Sequence, residues 1–273
     1  MNFTENFTCY FKLIFSVKNS VKSQQYKAFT LAEVLITLGI IGVVAALTIP
    51  ALITNYQKTQ YSVSAKKAYT QMNQVLQQLA VNNGTIESIA DYFGSSTDAG
   101  QAIASKYKVV KTCPPSQQDE ECFAKFDNNY DGSANSTSIW NGARTYYKFI
   151  TADGMSFAVY SYDDNCTQNK GFAAAPDAPP TNSTCGLVFI DVNGKKKPNY
   201  LGRDVFEFFI TSNRTPILYP SRGFYFSNSN TGNITTGGSD WWNYSNSNRC
   251  GAGSKDGWYC TGRLMEKSWE MDY

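Results

Sequence analysis

The chain contains no histidine. That removes the commonest general base, so Ser/His and Cys/His catalytic arrangements have no base to build on, and most zinc sites lose their usual nitrogen ligand. Charge is also scarce, at 17% of residues. The seven cysteines, Cys9, Cys113, Cys122, Cys166, Cys185, Cys250 and Cys260, include no CxxC pair. Redox and zinc-ribbon motifs are thereby absent. The glycines of Gly251–Gly257 have the wrong spacing for a dinucleotide loop and follow no clear strand. No acid, base and nucleophile constellation is visible, and an enzyme is not the expected reading.

What charge there is lies unevenly. Lys12, Lys18, Lys22 and Lys27 stand against Glu5 alone in residues 1–28, which leaves 20 basic and 21 acidic residues in the remainder. A near-neutral remainder offers no electrostatic footprint for nucleic acid. Directly after the basic leader comes an apolar run from Phe29 to Ile53, whose one charge is Glu33. As a helix of about 1.5 Å per residue, such a run crosses a bilayer core of about 30 Å. The basic residues before it mark that side as cytoplasmic. A cleaved secretory signal fits less well, because small residues should follow its apolar part, whereas Ala28 precedes the run here.

The segment KAFTLAE, Lys27–Glu33, resembles the processing site of type IV prepilins and type II secretion pseudopilins. The resemblance is strong over residues 27–53 and implies several things. Cutting falls between Ala28 and Phe29, although the family prefers Gly where Ala28 stands. A prepilin peptidase cuts there and methylates the freed Phe29 amine. Glu33, fifth after the cut, pairs in a filament with the amine of a neighbouring subunit. A carboxylate that is costly in lipid becomes tolerable when paired in a protein-lined interior. Pro50 sits where members carry a helix kink, since proline cannot donate its backbone hydrogen bond. Gly39 and Gly42 allow close helix approach.

The remainder reads as α+β. Ala68, Met72, Val75 or Leu76, and Leu79 recur at helical spacing, so one helix is expected from about Thr30 to Val81, with its second half packed on a head. Arg144–Tyr162 holds two β-prone runs around Ala152-Asp153-Gly154, a hairpin signal. Gly186–Ile210 holds a second pair with a longer loop. Residues 83–143 read as an irregular connection with some helix near Ala99–Lys106, and Arg263–Trp269 as a short terminal helix. Ala173–Thr184 is a Pro-rich loop. The expected organisation is a leader (1–28), a membrane-spanning and filament-core helix (29–53), its amphipathic continuation (54–82) and a globular head (83–273). A long amino-terminal helix packed on an antiparallel sheet is the pilin plan. The aromatic front half of the leader, Phe3–Val17, leaves a translation start downstream of Met1 open.

Six cysteines remain after the leader, an even number that favours disulfides in an oxidising compartment. Six allow 15 connectivities. Neighbour pairing, Cys113 with Cys122, Cys166 with Cys185 and Cys250 with Cys260, is expected because each pair closes a short polar loop. No cofactor is expected, with one reservation. Asp191-Val192-Asn193-Gly194 offers alternating oxygens and a turn, and major pseudopilins hold calcium in a head loop. Asp191, Asn193 and Asp204 are the candidate ligands. Against it, no Glu closes the loop, Lys195–Lys197 repel a cation, and a plain hairpin explains Asn193-Gly194 as well. Trp241-Trp242 and Trp258 could stack on sugars or bases, or form a disulfide-pinned loop core.

The expected function is a filament subunit, pilin or pseudopilin, held in the inner membrane with its head outside the cytoplasm and then packed into a pilus or secretion filament. Its partners are like subunits, the prepilin peptidase and the membrane assembly machinery; nucleic acid is not an expected partner. The alternative is a minor pilin whose head binds a surface or DNA at a filament tip.

Overall fold

A computed structural model describes residues 29–81, 88–115, 121–133, 145–162, 166–167, 184–212, 217–220, 250, 255 and 257–273. The leader, the Pro-rich loop up to residue 183 and the Trp241-Trp242 segment lie outside the described residues. The chain divides into two compact units, Met1–Leu52 and Ile53–Tyr273.

Helix α1 runs Leu31–Ala80 without interruption, Pro50 included. In the first unit nearly every side chain of this helix is exposed, Leu31, Leu47 and Ile41 among them. Its most apolar 18-residue window is wholly unburied. This is the pattern of a segment whose solvent is lipid or other helices rather than water. Its hydroxyls are satisfied within the helix: Thr37 Oγ1 donates to Glu33 O (2.9 Å) and Thr48 Oγ1 to Val44 O (3.0 Å).

In the second unit the helix turns amphipathic. Ala68, Met72, Val75, Leu76 and Leu79, the stripe anticipated from periodicity, are buried, and Tyr61 and Ala65 extend it toward the amino terminus. They pack on a six-stranded antiparallel meander, in spatial order β1 (Val109–Cys113), β2 (Tyr147–Thr151), β3 (Ser156–Ser161), β4 (Thr184–Asp191), β5 (Val205–Thr211) and β6 (Ile217–Pro220). Helix α2 (Ser96–Ala104) begins at a Ser95 cap whose side chain accepts from Asp98 N. It joins α1 on one face with Phe149, Phe157, Val188, Ile190, Phe206 and Phe208. The opposite face is covered too, by Phe123, Phe126 and Trp258 on Leu187, Phe189 and Phe209. Burial on both faces explains why β4 and β5 are fully buried along their length and read as near-continuous apolar runs.

The arrangement is the α+β, pilin-like one. Two differences from the sequence reading stand out. Residues 83–143 contain a 3₁₀ turn (Ile89–Phe93) and the edge strand β1. The terminal helix α3 starts earlier than expected, spanning Cys260–Glu266. Beside β6, Asn73 Oδ1 on α1 accepts from Leu218 N (2.8 Å), so a helix side chain satisfies one backbone N–H of that strand.

Candidate functional site

Two places carry the residues singled out from sequence. The first is the start of α1. Thr30 precedes the helix and Glu33 is its third residue. Thr30 N donates to Glu33 Oε2 (2.8 Å), and Glu33 N donates to Thr30 Oγ1 (3.2 Å). The Thr30 hydroxyl also donates to Glu33 Oε2 (2.9 Å). This is a reciprocal capping box, in which two of the four free N–H groups at a helix start find partners. The T-x-x-E spacing that signals it was present in Thr30–Glu33. Glu33 therefore has a partner within its own chain, besides any it meets in a neighbour. Phe29 is 84% exposed, and Ala28 lies outside the described residues. Gly39 and Gly42 have open space where a Cβ would stand, so a second helix can approach there.

The second place is the loop from β4 to β5. Asp191 and Asp204 are both fully buried. Asp204 accepts from the backbone N–H groups of Asn199 (2.8 Å) and Tyr200 (2.6 Å). Asp191 Oδ1 accepts from Asn193 N (3.2 Å), an Asx turn that leads into Gly194 at φ +67. A Cβ on Gly194 would stand 2.3 Å from Gly154 O of the β2–β3 turn, so only glycine fits. Burial pushes the Asp191 carboxyl well above its usual range, and the nearby Asp204 charge adds to this. Burial raises Asp204 to about 6 against its backbone donors. Asn193 Nδ2 reaches Tyr61 Oη of α1 (3.5 Å) and Lys197 O (3.4 Å), pinning the loop to the helix.

One terminal atom of the Asn199 amide lies 3.2 Å from Asp191 Oδ2, 3.3 Å from Gly194 O and 3.0 Å from Lys196 O. With nitrogen there, two N–H groups serve three acceptors. Ser156 Oγ, cross-strand from Asp191, and Asn193 Oδ1 are buried without a hydrogen-bond partner nearby. The hydrogen bonds of Asp191, Asn199 and Asp204 close the loop as a plain hairpin connection would. The Asp204 carboxylate is held by the Asn199 and Tyr200 backbone N–H groups. The Asn193 amide group is turned to Tyr61 and Lys197. Asn199 escaped the sequence reading because it lies eight residues from Asp191 and meets it only through loop closure. Among the described residues no three His, Cys, Asp or Glu side chains gather as a metal site.

Elsewhere the structure joins Cys113 to Cys122, Cys166 to Cys185 and Cys250 to Cys260. Trp258 is not a displayed stacking platform. It packs edge-on against Phe189, 6.1 Å between ring centres, on the second face of the sheet. Lys195, Lys196 and Lys197 are exposed.

No curated protein and no solved structure matches the chain. Residues 24–49 match the family model of the prokaryotic N-terminal methylation motif. That match makes this chain a carrier of the type IV pilin-like prepilin signature, set at the start of an exposed apolar helix.

Proposed function

We propose that the protein is a filament subunit of a type IV pilus or a type II secretion system. A prepilin peptidase removes residues 1–28 between Ala28 and Phe29 and methylates the Phe29 amine. Residues 29–53 then hold the subunit in the inner membrane, head outward, until the assembly machinery packs them into the filament interior. Residues 54–82 carry the head, 83–273. Glu33 gives the amine of a neighbouring Phe29 its counter-charge, with Thr30 holding the carboxylate in the meantime.

The observation that carries this reading is the methylation motif at residues 24–49 set at the start of one helix. That helix offers an unburied apolar surface and two open glycines. A tip-located binding head is less well supported, because the described tryptophans are packed: Trp258 on Phe189 and Trp269 on Tyr69. The test is immunogold labelling of sheared surface filaments together with mass spectrometry of the mature amino terminus. Labelled filaments built from chains beginning with N-methylated Phe29 are expected. A mature chain that begins elsewhere, or filaments that lack the protein, would overturn the reading.

A further inference from the structure

Helix α3 ends in a Schellman motif. Trp269 N donates to Leu264 O (2.7 Å) and Ser268 N to Met265 O (3.1 Å), the paired bonds that close a helix carboxyl end. The residue at the turn of this motif is usually glycine, because its backbone is left-handed. Here it is Ser268, at φ +55, and the next residue, Trp269, is left-handed too, at φ +71. For a side chain as bulky as tryptophan that is an outlier. Such backbones persist only where surrounding contacts hold them, and they gather at switch regions.

The holding contacts are specific, and all lie within the second unit. Trp269 O accepts from Ser62 Oγ of α1, and the Trp269 ring stands 5.2 Å from that of Tyr69. Tyr273 Oη donates to Gly202 O (2.7 Å) ahead of β5. Arg263 draws the segment back onto α3: its Nε donates to Asp272 Oδ1 (2.7 Å), and its guanidinium lies 5.6 Å over the Tyr273 ring. Along α1 the hold on the head is uneven. Met72, Leu76 and Leu79 are pressed into the sheet's core. In the two turns from Ser62 to Tyr69, Ala65 and Ala68 bury only a methyl each. The rest of that stretch is held by the Trp269 contacts, by Tyr69 against Phe208 at 5.8 Å and by the exposed Lys67–Asp153 ion pair.

We propose that residues 267–273 are a clasp that opens and closes on α1 while the sheet stays folded. Closed, it fastens Ser62 and Tyr69 to the head. Opening lets Ser268 and Trp269 return to ordinary backbone angles, and that relief offsets part of the loss of the Ser62 and Tyr69 contacts. The head then has a second state, in which the Ser62–Tyr69 stretch is uncovered and the Met72–Leu79 stretch stays packed. Opening of this kind is a local event, lower in free energy than unfolding of the whole head. The clasp depends on no assignment of membrane or filament.

The test uses the full chain in micelles with its disulfides intact. Hydrogen exchange of the Ser268–Glu270 amides reads the clasp, and hydroxyl-radical oxidation of Tyr69, located by mass spectrometry, reads what it covers. In wild type the Ser268–Glu270 amides are expected to exchange many-fold faster than those of β4 and β5. Ser268→Gly removes one left-handed cost from the closed state, so their exchange and Tyr69 oxidation should both slow several-fold. Asp272→Asn loosens the hold of Arg263 and should speed both several-fold, with the sheet amides unchanged. Exchange of Ser268–Glu270 at the rate of the sheet overturns the clasp, since the segment would then open only with the whole head. Tyr69 oxidation that stays constant while Asp272→Asn speeds the amides overturns it too, as does a Ser268→Gly chain that exchanges as fast as wild type.

Discussion

Gly194 and Gly154 form a matched pair for testing how the Asp191 loop is held. Both have left-handed backbones, φ +67 and +86. Around Gly154 a Cβ would meet nothing within 4 Å, whereas at Gly194 it would stand 2.3 Å from Gly154 O. Gly154→Ala therefore costs only the left-handed conformation, roughly 1–2 kcal/mol for an L residue. Gly194→Ala costs that and also forces two backbone segments apart, which adds about 1–3 kcal/mol by analogy with overpacking. At about 2–4 °C per kcal/mol for a chain of this size, Gly194→Ala should lower Tm two to three times as far as Gly154→Ala. The assay is thermal unfolding of the full chain in micelles, disulfides intact, followed by near-ultraviolet circular dichroism. Equal losses for the two variants would refute the close approach of the two turns. A larger loss at Gly154 would refute the whole account of why glycine is needed at Gly194.

Three further outcomes follow from the same geometry. Glu33→Gln keeps a capping side chain but not the charge, whereas Glu33→Ala loses both. If pairing with a neighbour's amine governs assembly, both variants should be cut normally and yield few sheared filaments; wild-type filament numbers for Glu33→Gln would leave the cap as the reason for Glu33. If Asp191, Asn193 and Asp204 hold calcium, the Tm of the full chain should be higher with calcium than in chelator, because the ion binds only the folded loop, and Asp191→Asn should abolish the rise. No shift in wild type would leave a plain hairpin loop. In chelator, Asp191 and Asp204 keep their protons in the folded chain at pH values where the unfolded chain has released them, since their pKa values are raised, Asp204 to about 6. Stability should therefore grow as pH falls from 7 through about 6 toward the ordinary value of 3.8. Asp153 behaves oppositely: burial pushes its pKa up, but Lys67 and Thr151 donate to it and hold it low. Its contribution is lost only below that window. A Tm that falls between pH 7 and 5, or a rise that survives in Asp191→Asn combined with Asp204→Asn, would contradict this.

Much of this protein was legible in its sequence because the deciding forces act between near neighbours. The apolar run and the three-and-four spacing of Ala68, Met72 and Leu79 specify α1 through side chains one turn apart. Ala152-Asp153-Gly154 specifies its turn, since Gly154 supplies the left-handed residue of a three-residue loop. The methylation motif is local as well. Even the capping box lay open in Thr30–Glu33, although a carboxylate in an apolar run draws attention to charge before caps. What only the tertiary structure decided involves residues far apart. Strand β1, with only Cys113 buried at its end, has a weak pattern of its own and exists because β2 pairs with it. Phe123, Phe126 and Trp258 cover the second face of the sheet by loop closure, which no short-range period records. Asn73 meets Leu218 across 145 positions. Asn199, itself left-handed at φ +55, brings its amide to Asp191 eight positions away. Periodicity and turn sterics are properties of a few adjacent residues; which amide meets which carboxylate depends on how the whole chain closes.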